Sequence, residues 1–282
     1  IRRVLEQFCL ASGQKVSLEK SKIFFSENVS RNMERLITEE SGIQATRELG
    51  KYLGMPILQK RINKDTFGEI LGRVSSRLAG WKGRCLSFAG RLTLTKSVLS
   101  SVPVHTMSTV LLPQSTLGSL DRISRSFLWG STIEQRKQHL VCWQKVCRPT
   151  SDGGLGIRSA VDMNKALLAK IGWRLLHDVD SLWAKVIRSK YKVTEVHDQH
   201  WLMSNGTWSS TWRSICLGLR EIVVPGLNWV IGDGKDVRVW TDKWLVEKQL
   251  REVTIMPLPN GIEDLRVCDL WRNGTGWCFE YL

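Results

Sequence analysis

The sequence lacks the features that mark membrane and secreted proteins. No apolar run reaches the ~18 residues needed to span a bilayer, and no charged-then-apolar segment of the secretory type opens the chain. The 7 cysteines are odd in number and widely spaced, so no disulfide framework is predicted. We therefore expect no membrane partner and a reducing, intracellular setting, with the nucleus a plausible compartment. Because the first residue is Ile1 rather than Met, we expect a fragment of a longer protein.

Clustered carboxylates are also missing from the sequence. Two-metal polymerase or nuclease chemistry needs several Asp or Glu side chains at one place, and there is no Asp-Asp pair. Glu39-Glu40 fits the solvated face of a helix, and Asp233 and Asp236 fit a turn better than a metal site. No Ser lies in a Gly-x-Ser-x-Gly nucleophile elbow. The sequence predicts no catalytic cluster and no bound metal.

Two further kinds of site are weak candidates. The runs His139, Cys142, Cys147 and His197, His200 each resemble part of a zinc site, but neither offers four ligands. The glycine-rich stretches 153–156 and 232–234 have neither the spacing nor the Lys-Ser/Thr ending of a phosphate-binding P-loop. We interpret both glycine stretches as tight turns, and metal binding stays the minor alternative for the His/Cys runs.

Positive charge is abundant and unevenly placed. The chain carries a net charge of +14, and residues 60–148 hold 15 Lys and Arg against 4 Asp and Glu, a balance of +11. We call residues 60–148 the basic segment. A localised cationic surface is the usual mark of binding to a phosphate backbone. The alternative is a basic face that only keeps the protein soluble.

The basic segment contains three predicted amphipathic helices, over 65–79, 87–101 and 115–129, because apolar residues recur there at helical spacing. Their apolar stripes are Phe67, Ile70, Leu71, Val74 and Leu78, then Phe88, Leu92, Thr95, Leu99 and Val102, then Leu117, Leu120, Ile123, Phe127 and Leu128. Between and beside the first two helices lie the candidate nucleic-acid-binding cations Arg73, Arg77, Lys82, Arg84, Arg91 and Lys96.

The rest of the chain predicts an α+β fold that is mostly helical. Before the basic segment we expect a helix after Ser30 that ends at Gly42, and a hairpin over 43–58 that turns near Leu49-Gly50. After it we expect helices at 159–177, 181–191 and 209–221, and a β-hairpin over 229–240. Of the 13 tryptophans, 10 lie from Trp173 onward. We interpret them as core and interface residues, with stacking on unpaired bases as the alternative.

Several motifs together resemble the C-terminal part of reverse transcriptases from plant LINE-type (non-LTR) retrotransposons. The stretch Ser12 to Ser26 is similar to the palm segment that follows the catalytic Tyr-x-Asp-Asp box. Lys51-Tyr52-Leu53-Gly54-Met55-Pro56-Ile57 resembles the primer-grip hairpin. Leu78 to Pro103 resembles the thumb signature Leu-x-x-Trp-x-x-x-x-Leu-Ser-x-Ala-Gly-Arg. The connector of the family is matched by Cys147-Arg148-Pro149, Gly153-Gly154-Leu155-Gly156, Trp173-Arg174, Trp229-x-Ile231-Gly232-Asp233-Gly234 and Trp240-x-Asp242-x-Trp244.

The resemblance implies a role for each part. Residues 1–59 would end the palm and include the primer-grip hairpin, 60–150 would form the basic helical thumb, and 151–282 the Trp-rich connector. Lys20 would match the palm lysine that protonates leaving pyrophosphate, and Tyr52, Leu53 and Gly54 would hold the primer terminus. The thumb cations would bind the backbone of an RNA and DNA template–primer. Ser17 stands where the family usually has Asn, so the local turn there departs from the pattern.

The matched region begins after the catalytic box, so the resemblance implies a reverse transcriptase part without its metal-binding aspartates. We expect this chain alone to be inactive, with Mg²⁺ required only by the longer parent enzyme and the N-terminal polymerase portion as its natural partner. The alternative is a captured or degenerate fragment that acts as a non-enzymatic protein-interaction module or has no function.

Overall fold

The computed structural model describes residues 2–52, 54–57, 65–79, 86–131, 135, 137–194, 200–203, 207–246, 248–255, 261–272 and 276–278. Helices dominate the described residues and the strands are short, which confirms the mostly helical α+β prediction. None of the described helices is long and apolar enough to cross a membrane. The chain divides into two compact units, Ile1–Val161 and Asp162–Leu282. The finer division at residues 59 and 150 stays a prediction.

The first unit begins with helix α1 (Arg2–Ser12), strand β1 (Lys22–Phe24), helix α2 (Arg31–Ser41) and strand β2 (Gln44–Thr46). The caps of α2 are the predicted ones: the Ser30 hydroxyl accepts the Met33 N–H, and Gly42 closes the helix at φ 70°. β1 and β2 form a two-stranded parallel sheet in which Lys22 faces Gln44.

A hairpin follows, formed by β3 (Lys51–Tyr52) and β4 (Met55–Pro56). Its two-residue turn includes Gly54 at φ 84°, a left-handed conformation that glycine adopts without strain. Pro56 has no N–H, and the Ile57 N–H donates to the Gly50 carbonyl instead, at 3.0 Å. The predicted turn near Leu49-Gly50 is therefore wrong, because β2 pairs with β1 and leaves 51–57 to form a shorter hairpin.

The helices of the basic segment pack around one central helix. α3 (Gly68–Ala79) follows a 3₁₀ turn, α4 (Phe88–Leu94) continues into a π-helical segment (Thr95–Leu99), and α6 (Gln114–Leu128) comes after the short α5 (Val104–Met107). α6 contacts both α3 and α4. The predicted stripes supply the core, with these side chains buried: Phe67, Ile70, Val74, Thr95, Leu99, Leu117, Leu120, Phe127 and Leu128.

Hydroxyl side chains account for the π-helical segment. The Thr95 hydroxyl donates to the Arg91 carbonyl, and the Ser100 hydroxyl donates to the carbonyls of Thr95 and Lys96. The Ser100 N–H also bonds to Thr95, five residues back. The hydroxyls thus add second bonds to the Arg91 and Thr95 carbonyls, which already accept backbone N–H groups, and a bond to the Lys96 carbonyl.

The first unit ends with a small core around α7 (Trp143–Cys147). Leu128 at the end of α6, Trp143 and Val146 on α7, and Ile157 are buried together. Between Val146 and Ile157 the chain makes a compact glycine-rich loop, which the next section describes.

The second unit holds the remaining helices: α8 (Ala160–His177, which begins just before the unit boundary), α9 (Leu182–Tyr191), α10 (His200–Met203), α11 (Ser210–Gly218) with a π-helical continuation (Leu219–Val223), and α12 (Val224–Gly226). Their positions confirm the three predicted helices. Trp212 is the centre of the core, stacked on Tyr191 with ring centroids 4.3 Å apart. A Cβ on Gly218 would lie 2.5 Å from the Ala169 backbone nitrogen, so α11 approaches α8 closely only because of glycine.

The last part of the second unit has a second small core of Val237, Val239, Trp240, Val267 and Leu270. The predicted hairpin over 229–240 is wrong, because these residues bond to distant partners: the Val239 N–H to Leu265 and the Val267 N–H to Val237. After the short helix α13 (Leu250–Val253), the β-hairpin of this half is formed by β5 (Trp271–Arg272) and β6 (Gly276–Trp277).

The tryptophans divide between core and surface. Trp201, Trp212 and Trp240 are buried, which confirms the core interpretation for these three, and Trp143 of the first unit is buried as well. Trp173 is exposed and stacks on His177, and Trp271 and Trp277 form an exposed edge-to-face pair 5.5 Å apart.

Candidate nucleic-acid interface

The two cations of α3 are exposed and lie one turn apart. Arg73 and Arg77 are spaced at i and i+4, which places them on the same side of the helix. The helix is held against α6 by its buried stripe, so the backbone that carries both guanidinium groups is fixed. Neither arginine has an ion pair with another described residue. Both guanidinium groups are exposed, and a single acidic residue of this helix, Glu69, lies one turn before Arg73.

An ion pair joins this helix to the hairpin. The Lys51 ammonium on β3 bonds to the Glu69 carboxylate in the first turn of α3. The Lys51 hydrogen bond lowers the pKa of Glu69 below its usual value, and the nearby charges of Lys51 and Arg73 lower it further. Both side chains are about half exposed, so the pair adds little stability. It does place the hairpin beside the N-terminal end of α3.

The hairpin residues predicted to hold the primer terminus are open to solvent. Tyr52 is 69% exposed, and nothing lies within 4 Å of where a Cβ on Gly54 would be. Since Lys51 bonds to α3, Tyr52 and Gly54 sit on an element next to the one that carries Arg73. The other predicted residue of this set, Leu53, lies outside the described residues.

Arg91 has a structural role that its charge alone does not reveal. Its Nε donates to the Leu128 carbonyl at 3.0 Å, and one terminal nitrogen donates to the Leu86 carbonyl at 2.7 Å. The guanidinium carbon is also 3.3 Å from where a Cβ on Gly130 would be. Arg91 therefore ties the start of α4 to the end of α6, and its donors on that side are already used.

The remaining predicted cations are differently placed. Lys96 is exposed on the π-helical segment, and its Nζ lies 3.5 Å from where a Cβ on Gly156 would be. Lys20 is exposed in a turn formed by Ser17, whose hydroxyl accepts the Lys20 N–H and whose carbonyl accepts the Ser21 N–H. Serine thus forms this turn, at the position where the predicted family resemblance would have Asn. Lys82 and Arg84 lie outside the described residues.

The glycine-rich loop after α7 is closed by its own backbone. Each N–H from residue 152 to residue 156 donates within the segment: to Pro149, Thr150, Pro149, Val146 and Arg148 in turn. A Cβ on Gly154 would lie 2.1 Å from the Arg148 carbonyl oxygen, so only glycine fits there. The turn interpretation is confirmed, because no N–H between 152 and 156 is left to cradle a phosphate.

The acidic and sulfur side chains that the structure describes do not gather into a metal site. In the described part of the chain, no three His, Cys, Asp or Glu side chains are grouped so as to hold a metal ion. His197 lies outside that part. Asp233 accepts the Lys235 N–H in a turn, which is the main reason its pKa is lowered. Burial raises the pKa of the Cys216 thiol to about 12, so it stays protonated and unreactive at neutral pH.

Comparison with known proteins identifies a family to which this chain belongs. No family model matches the chain. An uncharacterized mitochondrial protein of Arabidopsis thaliana is 37% identical over 150 residues, which cover 52% of this chain and 95% of that protein. The chain belongs to the family of this mitochondrial protein. Because that relative is uncharacterized, membership of its family carries no activity with it.

A longer relative is more similar in sequence. A protein of Arabidopsis thaliana that is provisionally named as a ribonuclease H protein is 59% identical over 225 residues. The match covers 80% of this chain but 36% of that protein. The chain therefore spans about a third of the length of this relative.

Two cations near the glycine-rich loop were missed as site candidates. Arg148 and Arg158 are both exposed, and both flank the loop of 152–156. The signal that points to them is the presence of basic residues on either side of a glycine run.

Proposed function

We propose that this chain is part of a plant LINE-type retrotransposon reverse transcriptase and contributes binding to the backbone of an RNA–DNA template–primer. The palm, primer-grip, thumb and connector motifs support this assignment. The relative named for ribonuclease H supports an association with nucleic acid, since that name denotes an activity on nucleic acid. In this proposal the helices of the basic segment are the thumb.

The exposed pair Arg73 and Arg77 carries the proposal. Arginine on a fixed helix face donates to phosphate oxygens with little loss of side-chain freedom, and phosphate contacts give affinity without sequence preference. Tyr52 and Gly54 on the neighbouring hairpin would then lie where the end of a primer strand passes. Arg91 is assigned to holding α4 on α6 rather than to phosphate.

A salt titration tests the phosphate contacts. Each contact to a duplex contributes about −0.9 to the slope of log K against log salt concentration. If the basic segment makes roughly six such contacts, the slope on an RNA–DNA hybrid should be near −5. The double variant Arg73→Gln/Arg77→Gln should reduce its magnitude by about 1.8 and weaken binding up to about 60-fold at 0.1 M salt.

The control is Lys170→Gln/Arg213→Gln, which removes the same charge from exposed positions of the second unit. That variant should bind like the wild type, because residues 149–282 carry 17 basic and 16 acidic residues and are nearly neutral. A wild-type slope near zero, or equal losses in the two double variants, would contradict a grip by α3.

We further propose that the chain has no polymerase activity alone, since it offers no cluster of carboxylates for two metal ions. Purified chain incubated with template–primer, nucleotides and Mg²⁺ should incorporate nothing above background. Template-dependent incorporation would refute this part of the proposal.

The second candidate is a protein-interaction module. Exposed apolar side chains on α1 and α2, among them Val4, Phe8, Met33 and Leu36, favour it. So does the parallel β1–β2 pair, because parallel strands are normally covered on both faces. If this candidate is right, Arg73→Gln/Arg77→Gln should not change hybrid binding. The coding sequence upstream of this chain should then contain no Tyr-x-Asp-Asp box.

A further inference from the structure

The glycine-rich loop brings together cations from two distant parts of the first unit. Lys96 comes from the π-helical segment after α4, whereas Arg148 and Arg158 lie at the two ends of the loop after α7. The Gly156 N–H donates to the Arg148 carbonyl at 2.9 Å, so the backbones of residues 148 and 156 are adjacent. Arg158 follows two residues later. We call Lys96, Arg148 and Arg158 the Gly156 cluster.

The Lys96 ammonium lies close to the backbone of Gly156. A Cβ on Gly156 would lie 3.5 Å from the Lys96 Nζ and 3.6 Å from the Thr150 methyl carbon. Both distances are ordinary van der Waals contacts, and it is φ 64° at Gly156 that would strain a residue with a side chain. The Lys96 ammonium therefore lies beside the backbone of Gly156, which is bonded to the Arg148 backbone and precedes Arg158 by two residues.

Nothing in the described part of the chain neutralises these charges. Lys96, Arg148 and Arg158 are all exposed, and none forms an ion pair with another described residue. The loop contains one acidic residue, Asp152, whose carboxylate accepts the neighbouring Ser151 hydroxyl. Like charges carried on neighbouring backbone repel each other, and a bound anion would relieve that repulsion.

The loop geometry selects the kind of anion. A free phosphate or nucleotide terminus is normally held by backbone N–H groups, and the N–H groups of 152–156 are all used within the loop. Exposed side-chain cations alone suit the singly charged phosphates of a nucleic-acid backbone. We infer that the Gly156 cluster is a second phosphate-backbone contact of the first unit, in addition to the one proposed on α3. This inference rests on the proposed nucleic-acid binding.

The test compares the triple variant Lys96→Gln/Arg148→Gln/Arg158→Gln with the wild type in salt titrations on an RNA–DNA hybrid. Loss of three contacts should make the slope shallower by about 2.7 and weaken binding up to about 500-fold at 0.1 M salt. The conservative variant Lys96→Arg/Arg148→Lys/Arg158→Lys should keep the wild-type slope, because it keeps all three charges. Lys170→Gln/Arg213→Gln/Lys248→Gln is the matched control for lost charge and should also bind normally.

The outcomes separate this inference from the proposed function. If Arg73→Gln/Arg77→Gln weakens binding and the Gly156 triple variant does not, the cluster is no contact and only this inference fails. If the wild type does not bind the hybrid, both fail. If inorganic phosphate at constant ionic strength displaces the hybrid from the wild type but not from the triple variant, the cluster is a free-anion site and the inference is overturned. The single variant Lys96→Gln, with an expected slope change of about 0.9, serves if the triple variant does not fold.

Discussion

Arg91→Lys should loosen the packing of α4 on α6 without weakening the proposed binding to nucleic acid. Lysine keeps the positive charge but has one nitrogen in place of the guanidinium fork. It cannot reproduce two bonds that diverge to the carbonyls of Leu86 and Leu128. The substitution therefore separates the structural role of residue 91 from its contribution to charge.

The size of the effect follows from the two bonds. Hydrogen bonds from a charged donor contribute about 1.5–3 kcal/mol each when removal leaves a partner unpaired. Arg91 is half-buried, and water can reach part of the freed carbonyls, so we expect a total loss of about 2 kcal/mol. That loss corresponds to about 30-fold faster local opening.

Hydrogen–deuterium exchange read by mass spectrometry is the suitable assay, because it reports on single helices in a chain with two compact units. Amides of α4 and of the last turn of α6 should exchange about 30-fold faster in Arg91→Lys. Amides of α8 and α11 in the second unit provide the internal reference and should be unchanged.

The reasoning would be refuted by the opposite pattern. If Arg91→Lys leaves exchange in α4 and α6 as in the wild type, the two bonds do not hold the helices together. If it also reduces the salt slope on an RNA–DNA hybrid, residue 91 binds phosphate after all. The slope should instead match that of the wild type within error.

Two further substitutions test the helix geometry by urea unfolding. Gly218→Ala should destabilise the second unit by several kcal/mol, roughly as overpacking does, because its Cβ would lie 2.5 Å from backbone of α8. Gly118→Ala is its control on α6, where nothing lies within 4 Å, and should stabilise by about 0.5–1 kcal/mol; equal effects would contradict the close crossing. Lys192→Gly should stabilise by about 1 kcal/mol, since residue 192 ends α9 at φ 52°. A midpoint no higher than that of Lys192→Gln would argue against backbone strain.

Helices with a clear apolar stripe could be predicted from the sequence. The stripe from Phe67 to Val74 and the one from Leu117 to Leu128 are buried as expected, and Ser30 and Gly42 cap α2 as expected. These predictions depend on spacing within a few residues of chain, so the partner helix need not be known.

Strand pairing was harder to predict from the sequence, because it depends on which distant segment a strand bonds to. Val237 and Val239 alternate as a strand should, yet they bond to Val267 and Leu265, nearly 30 residues away. In the N-terminal part, Gly50 and Gly54 both have positive φ, so the sequence alone could not say which glycine lies in the hairpin turn. When strand register is set by contacts with distant residues, the sequence around the strand carries no signal of it.

The candidate site was only partly predictable, because contacts with distant residues decide which cations are free. An exposed arginine such as Arg73 and a structural one such as Arg91 look alike in a basic segment. What separates them is the position of the Leu86 and Leu128 carbonyls, and Leu128 is 37 residues away. The Gly156 cluster likewise joins Lys96 to residues more than 50 positions later in the chain.

Whether glycine is kept at position 154 in related genes should indicate whether those genes still encode this fold. Any other amino acid adds a Cβ, and at this position a Cβ would meet the Arg148 carbonyl oxygen at 2.1 Å. A related gene that is no longer under selection should therefore change its Gly154 codon as often as any other codon. A related gene that still encodes a folded loop must keep glycine at this position. Gly153, where a Cβ would meet nothing within 4 Å and only φ 74° restricts the residue, should tolerate Asn and serves as the comparison. Fewer substitutions at the Gly154 codon than at the Gly153 codon would show that a group of related genes is still under selection to encode a folded protein.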